Sequence, residues 1–487
     1  MHHSVPQLWF EPVPWIDGKP IDRKPTEQVV NPATGQLIAR VAFAESTDIE
    51  QAIASSHGAQ DRWQKTSAFE RGEILKRVAE RLEAQRDVLA RLLTAEQGKP
   101  YLQALGEVDY AASFFRWFGE EARRVCGRIA PHPQADREFL IEHKPLGLAA
   151  WITPWNFPLA QGAKKIAAAL AAGCCGIWKP AESTPLIALA MAPIFEQAGL
   201  PSGAVQILPG PGSQLGSILS NHPAIRVVSL TGSVRTGREI LSGAAWDIKR
   251  VLLELGGNAP FIVLPDADLD FTVDQLVRLK LFVSGQVCVT ANRIFVHRDI
   301  RSAFMDKLLS RLAASKIGDG LEDGVDAGPL IHQQACQGVD MLVQKACQMG
   351  ARIVGLNASY ANDSRLARGS FYPATVIDGV TDQMDLFGCE IFGPIFSILE
   401  YSQVEDVVAR ANSVTQGLAG YVYGQDLSEC KRVARRLQVG IVGINEWRPL
   451  KAEIPFGGVK QSGLGVEGGK EGIYDYLSLQ VISTPRD

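Results

Sequence analysis

The sequence predicts an α/β fold with two parallel-sheet units, and three observations predict it. From Leu148 onward, short apolar runs alternate with helix-like stretches. Leu148–Thr153, Cys175–Lys179, Val205–Leu208, Val227–Leu230 and Val251–Leu255 are separated by Leu159–Ala172, Pro185–Ala198 and Thr236–Ala245. Continuous apolar strands between amphipathic helices mark a doubly wound sheet buried on both faces, which binds nucleotides at its carboxyl edge. The pattern then restarts near Gly257. Its strand candidates are Phe261–Leu264, Arg293–His297, Ile353–Leu356, Pro394–Glu400, Ala419–Tyr423 and Gly440–Asn445, with helices Arg301–Ala314, Val404–Ala411 and Ser428–Leu437 among them. Finally, 46 glycines, many at strand ends, suit a turn-rich α/β chain.

The remaining elements follow in order. The first fifty residues hold short strands and the turn Asn31-Pro32-Ala33-Thr34-Gly35. Two helices are then expected. The first opens at Ser67-Ala68-Phe69-Glu70, which has capping-box spacing, and carries Ile74, Leu75, Val78 and Leu82 on one face. Gly98 and Pro100 end it, and a second helix covers Tyr101 to Ala122. Arg137 to His143 reads as a strand outside the main pattern. The tail, Tyr474 to Ile482, reads as a strand with no partner left in its own chain, so contact with another subunit is expected.

Bulk properties narrow the function classes. A hydrophobic content of 46% and a charged content of 21% describe a soluble globular protein of two or three domains. The net charge of −4 leaves no electrostatic footprint for nucleic acid or an anionic membrane. No apolar run approaches a bilayer span, and Met1-His2-His3-Ser4-Val5 has no secretory character. Eight scattered cysteines without a CxxC pair predict a reducing cytoplasm and no metal site.

Chemistry concentrates in a few stretches. Ser284-Gly285-Gln286-Val287-Cys288-Val289 sets one cysteine in an irregular segment, and Leu253-Glu254-Leu255-Gly256-Gly257-Asn258 carries a carboxylate. A thiol nucleophile and a carboxylate base are two parts of a covalent mechanism on a carbonyl carbon. A buried, inert cysteine is the bland alternative for Cys288. Asn156, fixed between Pro154 and Pro158, can donate to an oxyanion or simply cap the following helix. Glu182, after Trp178-Lys179-Pro180-Ala181, can bind ribose hydroxyls or serve a helix N-terminus. Gly210-Pro211-Gly212 with Gly216, Gly232 with Gly237, Glu390-Ile391-Phe392-Gly393-Pro394 and Pro455-Phe456-Gly457-Gly458 read alone as turns. No GxGxxG fingerprint is present.

Taken together, PWNFP, KPAE, TGS, ELGGN, GQVC, EIFGP and PFGGVKQSG stand in the order and spacing of the aldehyde dehydrogenase superfamily, which the chain resembles over essentially its whole length. GQVCVTANRIFV, EIPFGGVKQSGLG and GIYDYL are most similar to the succinate-semialdehyde dehydrogenase branch. The resemblance implies a Rossmann-like NAD-binding domain (1–124 and 147–255), an α/β catalytic domain (256–470) and a small β oligomerisation extension (125–146 and 471–487). It implies a homodimer or homotetramer that oxidises a small-molecule aldehyde. Cys288 would be the nucleophile, Asn156 and the Cys288 amide the oxyanion donors, Glu254 the activator of water, and Lys165 with Glu467 a proton relay. Cofactor contacts are implied at Thr153, Pro154, Trp155, Lys179 and Glu182. The same is implied for Gly212, Gly216, Thr231, Gly232 and Ser233, and for Leu255, Gly256, Glu390 and Phe392. Glu182 favours NAD over NADP.

The chain also departs from that branch. Where relatives bind the substrate carboxylate with arginines, it has Lys164 and Phe282, beside a pocket that would include Val287. Phenylalanine removes a charge and adds an aromatic wall, which suits a less acidic or bulkier substrate than succinate semialdehyde. Arg448 and Lys451 could restore positive charge or be solvated loop residues. Thr290 stands where some relatives have a second, regulatory cysteine. Two other chemistries use the same residues: a CoA-acylating aldehyde dehydrogenase, against which Glu254 argues, and a Cys/Glu/Lys hydrolase, which would leave the cofactor-matching stretches without purpose.

Overall fold

The computed structural model describes residues 7–357, 360 and 363–486; the Met1–Val5 stretch lies outside the described residues. The first sheet orders its strands as Lys19–Pro20, Trp15–Ile16, Val205–Ile207, Gly176–Lys179, Leu148–Ile152, Ile225–Thr231, Arg250–Glu254 and Gly463–Leu464. From Val205–Ile207 to Arg250–Glu254 neighbouring strands are parallel. Leu148–Ile152 and Gly176–Lys179 are buried throughout, as strands covered on both faces must be. The chain steps outward from Leu148–Ile152 through the next two strands, then returns to place Ile225–Thr231 on its other side. That reversal is the topological switch point, where open α/β sheets leave a crevice at their carboxyl edge.

The second sheet orders Arg352–Leu356, Thr375–Asp378, Ile395–Tyr401, Ala291–His297, Ala259–Val263, Ala419–Tyr423 and Ile441–Ile444. Only its first strand, an exposed edge, runs antiparallel to its neighbour. No described helix is long and apolar enough to cross a membrane.

Three expectations need correction. The N-terminal region has four helices rather than two: Ser46–Trp63, Ala68–Ala84, Arg86–Gln97 and Tyr101–Glu121. The first escapes a hydrophobicity reading because its buried face includes Asp48, Ser56 and Gln60. The second ends at Gln85, before the left-handed Gly98 (φ 94°) that ends the third. Pro185–Ala198 is split into Leu186–Leu189 and Met191–Gln197, and the ring of Pro193 supplies no N–H to a continuous helix. The C-terminal strand, Leu477–Pro485, does find a partner in its own chain. It pairs antiparallel with Arg137–Pro145 along all nine residues, and Arg128–Pro131 completes a three-stranded sheet. The Arg137 strand lies far back in the chain, so local reading could not match the two.

Candidate active site

The cysteine segment follows the helix Leu269–Leu281 through a strained turn. Val283 (φ 50°, ψ 32°) and Ser284 (φ 56°, ψ 35°) are both left-handed, at a cost of about 1–3 kcal/mol each. Surrounding bonds hold the turn in place. Val283 N donates to Gln103 Oε1 (2.8 Å), Ser284 Oγ to the Gly328 carbonyl (2.8 Å), and Ile331 N to Gln286 Oε1 (2.9 Å). Gly285 is left-handed as well, and a Cβ there would collide with the Gly393 carbonyl. A Cβ at Gly257 would collide with the Cys288 carbonyl, so the Glu254 loop and the cysteine loop pack backbone to backbone. Burial, and then the charges of Glu390 and Glu254, push the Cys288 thiol up to about 12.

Asn156 lies just beyond Leu148–Ile152, at the switch point. Its amide Nδ2 donates to the Gln286 carbonyl (2.9 Å), which points the side chain at the cysteine loop. The helix Pro158–Ala172 is capped instead by Glu107, whose Oε1 accepts from Leu159 N (3.0 Å) and Ala160 N (3.1 Å). That separates the two sequence readings of Asn156: its amide faces the nucleophile segment, not the helix end. Glu107 is in turn ion-paired with Lys99, both side chains fully buried, and Lys99 Nζ donates to the Asn156 carbonyl at 2.7 Å. This pair is invisible in the sequence, where Lys99 is merely the middle of Gly98-Lys99-Pro100. Breaking a buried pair strands one charge. We therefore expect Lys99→Met to lower unfolding free energy by about 3–5 kcal/mol in urea titrations. The double change Lys99→Met/Glu107→Gln should recover part of that loss.

Glu254, at the end of Arg250–Glu254, is buried, and among the described residues neither carboxylate oxygen has a hydrogen-bond partner. Burial, together with the charge of Glu467, raises it well above the ordinary carboxylate range, while Lys164 and Lys165 pull it back. Glu467 is clasped by both lysines: Lys164 Nζ lies 2.8 Å from Oε2, and Lys165 pairs with Oε1, to which Ser229 Oγ also donates at 3.1 Å. Against the resistance of burial, those lysines hold Glu467 down to about 2. Lys164 is raised by the charges of Glu467 and Glu254, which outweigh its burial; Lys165 is lowered by burial, with its lysine neighbour adding to the effect. Lys164 is thus already paired rather than free to meet a substrate anion.

Two cavities meet at Cys288. One, of roughly 660 Å³ including its open mouth, is walled by Tyr110, Phe114, Phe157, Phe282, Trp447 and Phe456, with Val287, Lys164 and Arg448 also lining it. The other is the switch-point groove, lined by Pro154, Trp155, Asn156, Thr231, Gly232, Ser233, Leu255, Gly256, Glu390 and Phe392. Cys288 and Gln161 line both. Gln161 was not legible as a site residue, since in sequence it is one polar position on an alanine-rich helix. Lys451 is exposed and absent from the pocket wall, which corrects its placement there: the chain turns its neighbour Arg448 inward instead.

Polar groups lie both within this groove and in a separate cluster outside its lining, made by Lys179, Glu182 and Gly212. Glu182 accepts from Gly212 N and lies 3.2 Å from Lys179 Nζ. Although burial opposes them, that lysine and N–H hold its carboxylate below the usual range. At one end of the groove itself Glu390 Oε1 accepts from Gly257 N (3.0 Å), burial lifting this carboxyl to about 7, and Phe392 meets Trp155 edge-on at 5.5 Å. A Cβ at Gly256 would close on the Glu390 carboxylate, so the glycine keeps that end open. Gly216 is buried in the helix Gly212–Asn221, and the Thr153 hydroxyl accepts from Trp178 Nε1 (2.9 Å) rather than facing the groove. The Pro455–Gly463 loop ties the halves together. Ser462 Oγ donates to the Gly256 carbonyl (2.8 Å) and accepts from Gly417 N (2.8 Å).

A thiol between an apolar cavity and a dinucleotide groove, with a carboxylate and an amide beside it, defines a cofactor-linked oxidoreductase site. A profile of the aldehyde dehydrogenase family matches residues 15–482, and the chain belongs to that family. It is an NAD(P)-dependent oxidoreductase that converts an aldehyde to the carboxylate. The chain is 42% identical to a 3-sulfolactaldehyde dehydrogenase of Pseudomonas putida, over 96% of this chain and 95% of that protein. It is 40% identical to an NADP(+) succinate-semialdehyde dehydrogenase of Escherichia coli, over 96% and 95%. A betaine aldehyde dehydrogenase structure from Staphylococcus aureus, in complex with NAD+, superposes with a TM-score of 0.95 at 33% identity, covering 98% and 95% of the two chains.

Proposed function

We propose that Cys288 carries the aldehyde carbon through the oxidation and that Glu254 activates the water that releases it. The observation supporting this most directly is that Cys288 lines both cavities, the position required of an atom that meets a substrate on one side and a cofactor on the other. The thiol gives up its proton to solvent as the sulfur adds to the aldehyde carbon, and the oxygen takes up negative charge facing the Asn156 amide and the Cys288 N–H. When bound, the nicotinamide supplies the hydride acceptor and positive charge near the thiol. Loss of hydride from the carbon leaves a thioester on Cys288. Water activated by Glu254 attacks it, the carbon–sulfur bond breaks, and the carboxylate departs as the thiol re-forms. The proton taken by Glu254 would pass toward the Lys165–Glu467 pair, whose charges act on that carboxyl.

Lys179, Glu182 and Gly212 would hold the adenosine end of the cofactor, and Glu390 and Phe392 the nicotinamide end. We assign NAD as the preferred cofactor, because an ionised Glu182 would accept ribose hydroxyls and repel a 2′-phosphate. The extension supports assembly into a homodimer or homotetramer, since Ile129, Leu479 and Val481 expose apolar side chains along it. The test is reduced-cofactor formation with an aldehyde and NAD or NADP. Wild type should favour NAD, and Glu182→Gln should shift the kcat/KM ratio toward NADP by about tenfold, on the order of one lost charge contact. Hydrolysis of an ester or thioester, with no aldehyde oxidation by either cofactor, would favour the hydrolase instead.

A further inference from the structure

We propose that this pocket selects an aromatic aldehyde bearing an anionic substituent, and that the Arg448 guanidinium is the group that reads the anion. The proposal rests on the Cys288 cavity being the aldehyde site and adds what fills it. Aromatic rings enclose that cavity. Phe282 is its centre, 5.7 Å from the Phe157 ring and 5.6 Å from the Trp447 ring. Such a wall favours a flat, polarisable body over a short flexible chain.

Two cations line the same cavity, and their circumstances differ. Lys164 is fully engaged, at 2.8 Å from Glu467 and 4.0 Å from the Phe456 ring centroid. Arg448 is half-buried, and burial lowers its affinity for its proton. Among the described residues it has no carboxylate partner; Glu107, whose charge it feels, is tied to Lys99. Its contact is with the face of Phe282, 4.9 Å from the centroid. Stacking on a ring leaves the guanidinium edge, with its forked N–H donors, open to a planar anion. A desolvated cation without a counter-charge is costly by itself, and a substrate carboxylate or sulfonate would neutralise it. The aromatic wall and the guanidinium therefore act on one ligand: the rings lining the cavity pack on its body while Arg448 binds its charged end.

The experiment compares kcat/KM for 4-carboxybenzaldehyde, benzaldehyde and succinate semialdehyde in wild type, Arg448→Met and Arg448→Lys. Wild type should prefer 4-carboxybenzaldehyde to both others. In Arg448→Met the ratio of 4-carboxybenzaldehyde to benzaldehyde should fall about a hundredfold, mainly through KM, and lysine should restore only a small part of it. Inhibition of wild type by benzene-1,4-dicarboxylate should exceed that by benzoate, a comparison that does not depend on any variant folding. Preference for succinate semialdehyde, equal losses with both aromatic aldehydes, or equal inhibition by the two carboxylates would each overturn the proposal. Failure of wild type to oxidise any aldehyde would instead overturn the reading of the Cys288 site.

Discussion

Cys288→Ala should abolish aldehyde oxidation, lowering kcat by on the order of 10⁴-fold or more, while cofactor binding survives. The division follows from where the side chain sits. The groove is built chiefly from Pro154, Trp155, the Thr231–Ser233 turn, Gly256 and Glu390, and removing one sulfur atom alters little of that wall. Oxidation, by contrast, depends on the one cysteine that lines either cavity among the described residues. The remaining described cysteines around the second sheet, such as Cys336 and Cys430, line neither cavity. Stopped-flow absorbance and NAD titration by fluorescence quenching measure the two halves separately. Near-normal turnover in this variant would remove Cys288 from the mechanism.

Glu254→Gln should divide the reaction differently. A first turnover of NADH should form as a burst, followed by a steady state slowed by about 10²–10⁴-fold, because an amide cannot take a proton from water. The pH dependence sharpens this expectation. Burial and Glu467 raise Glu254 well above 4.5, and only its ionised form acts as a base. The ionised fraction, and with it the wild-type steady-state rate, should therefore rise with pH through the raised value. The limb belongs to a coupled pair, since Glu254 and Glu467 feel each other. Glu254→Gln should flatten it. A variant with no burst would place Glu254 in the oxidation itself, and an unchanged pH limb would place the titrating group elsewhere.

The sheets were legible because parallel strands buried on both faces are continuous apolar runs. Ala419–Tyr423 was read to its exact bounds, and Leu148–Thr153 differs from the observed strand by one residue. The site stretches were legible because their motifs fall in a known order. What stayed hidden was of three kinds. Lys99 and Glu107 meet inside the core, and a buried ion pair leaves no mark on composition or periodicity. Arg448 and Lys451 look alike in sequence, three residues apart in one loop, yet only one turns toward the cavity. The C-terminal strand was read as a strand but not paired, since its partner is separated from it by most of the chain.

The clasp on Glu467 also sets a clock. Lys165 and Glu467 are separated by 302 residues, so a ribosome adding about 5–20 residues per second needs roughly 15–60 s to deliver the second after the first. During that interval Lys164 and Lys165 lack the Glu467 carboxylate that pairs with both, and Glu254 lacks the charge that adds to burial in raising it. The growing sheet also lacks Gly463–Leu464, the strand that covers the edge of Arg250–Glu254. The charge arrangement around Glu254 can therefore arise only after translation of the segment that seals the sheet edge.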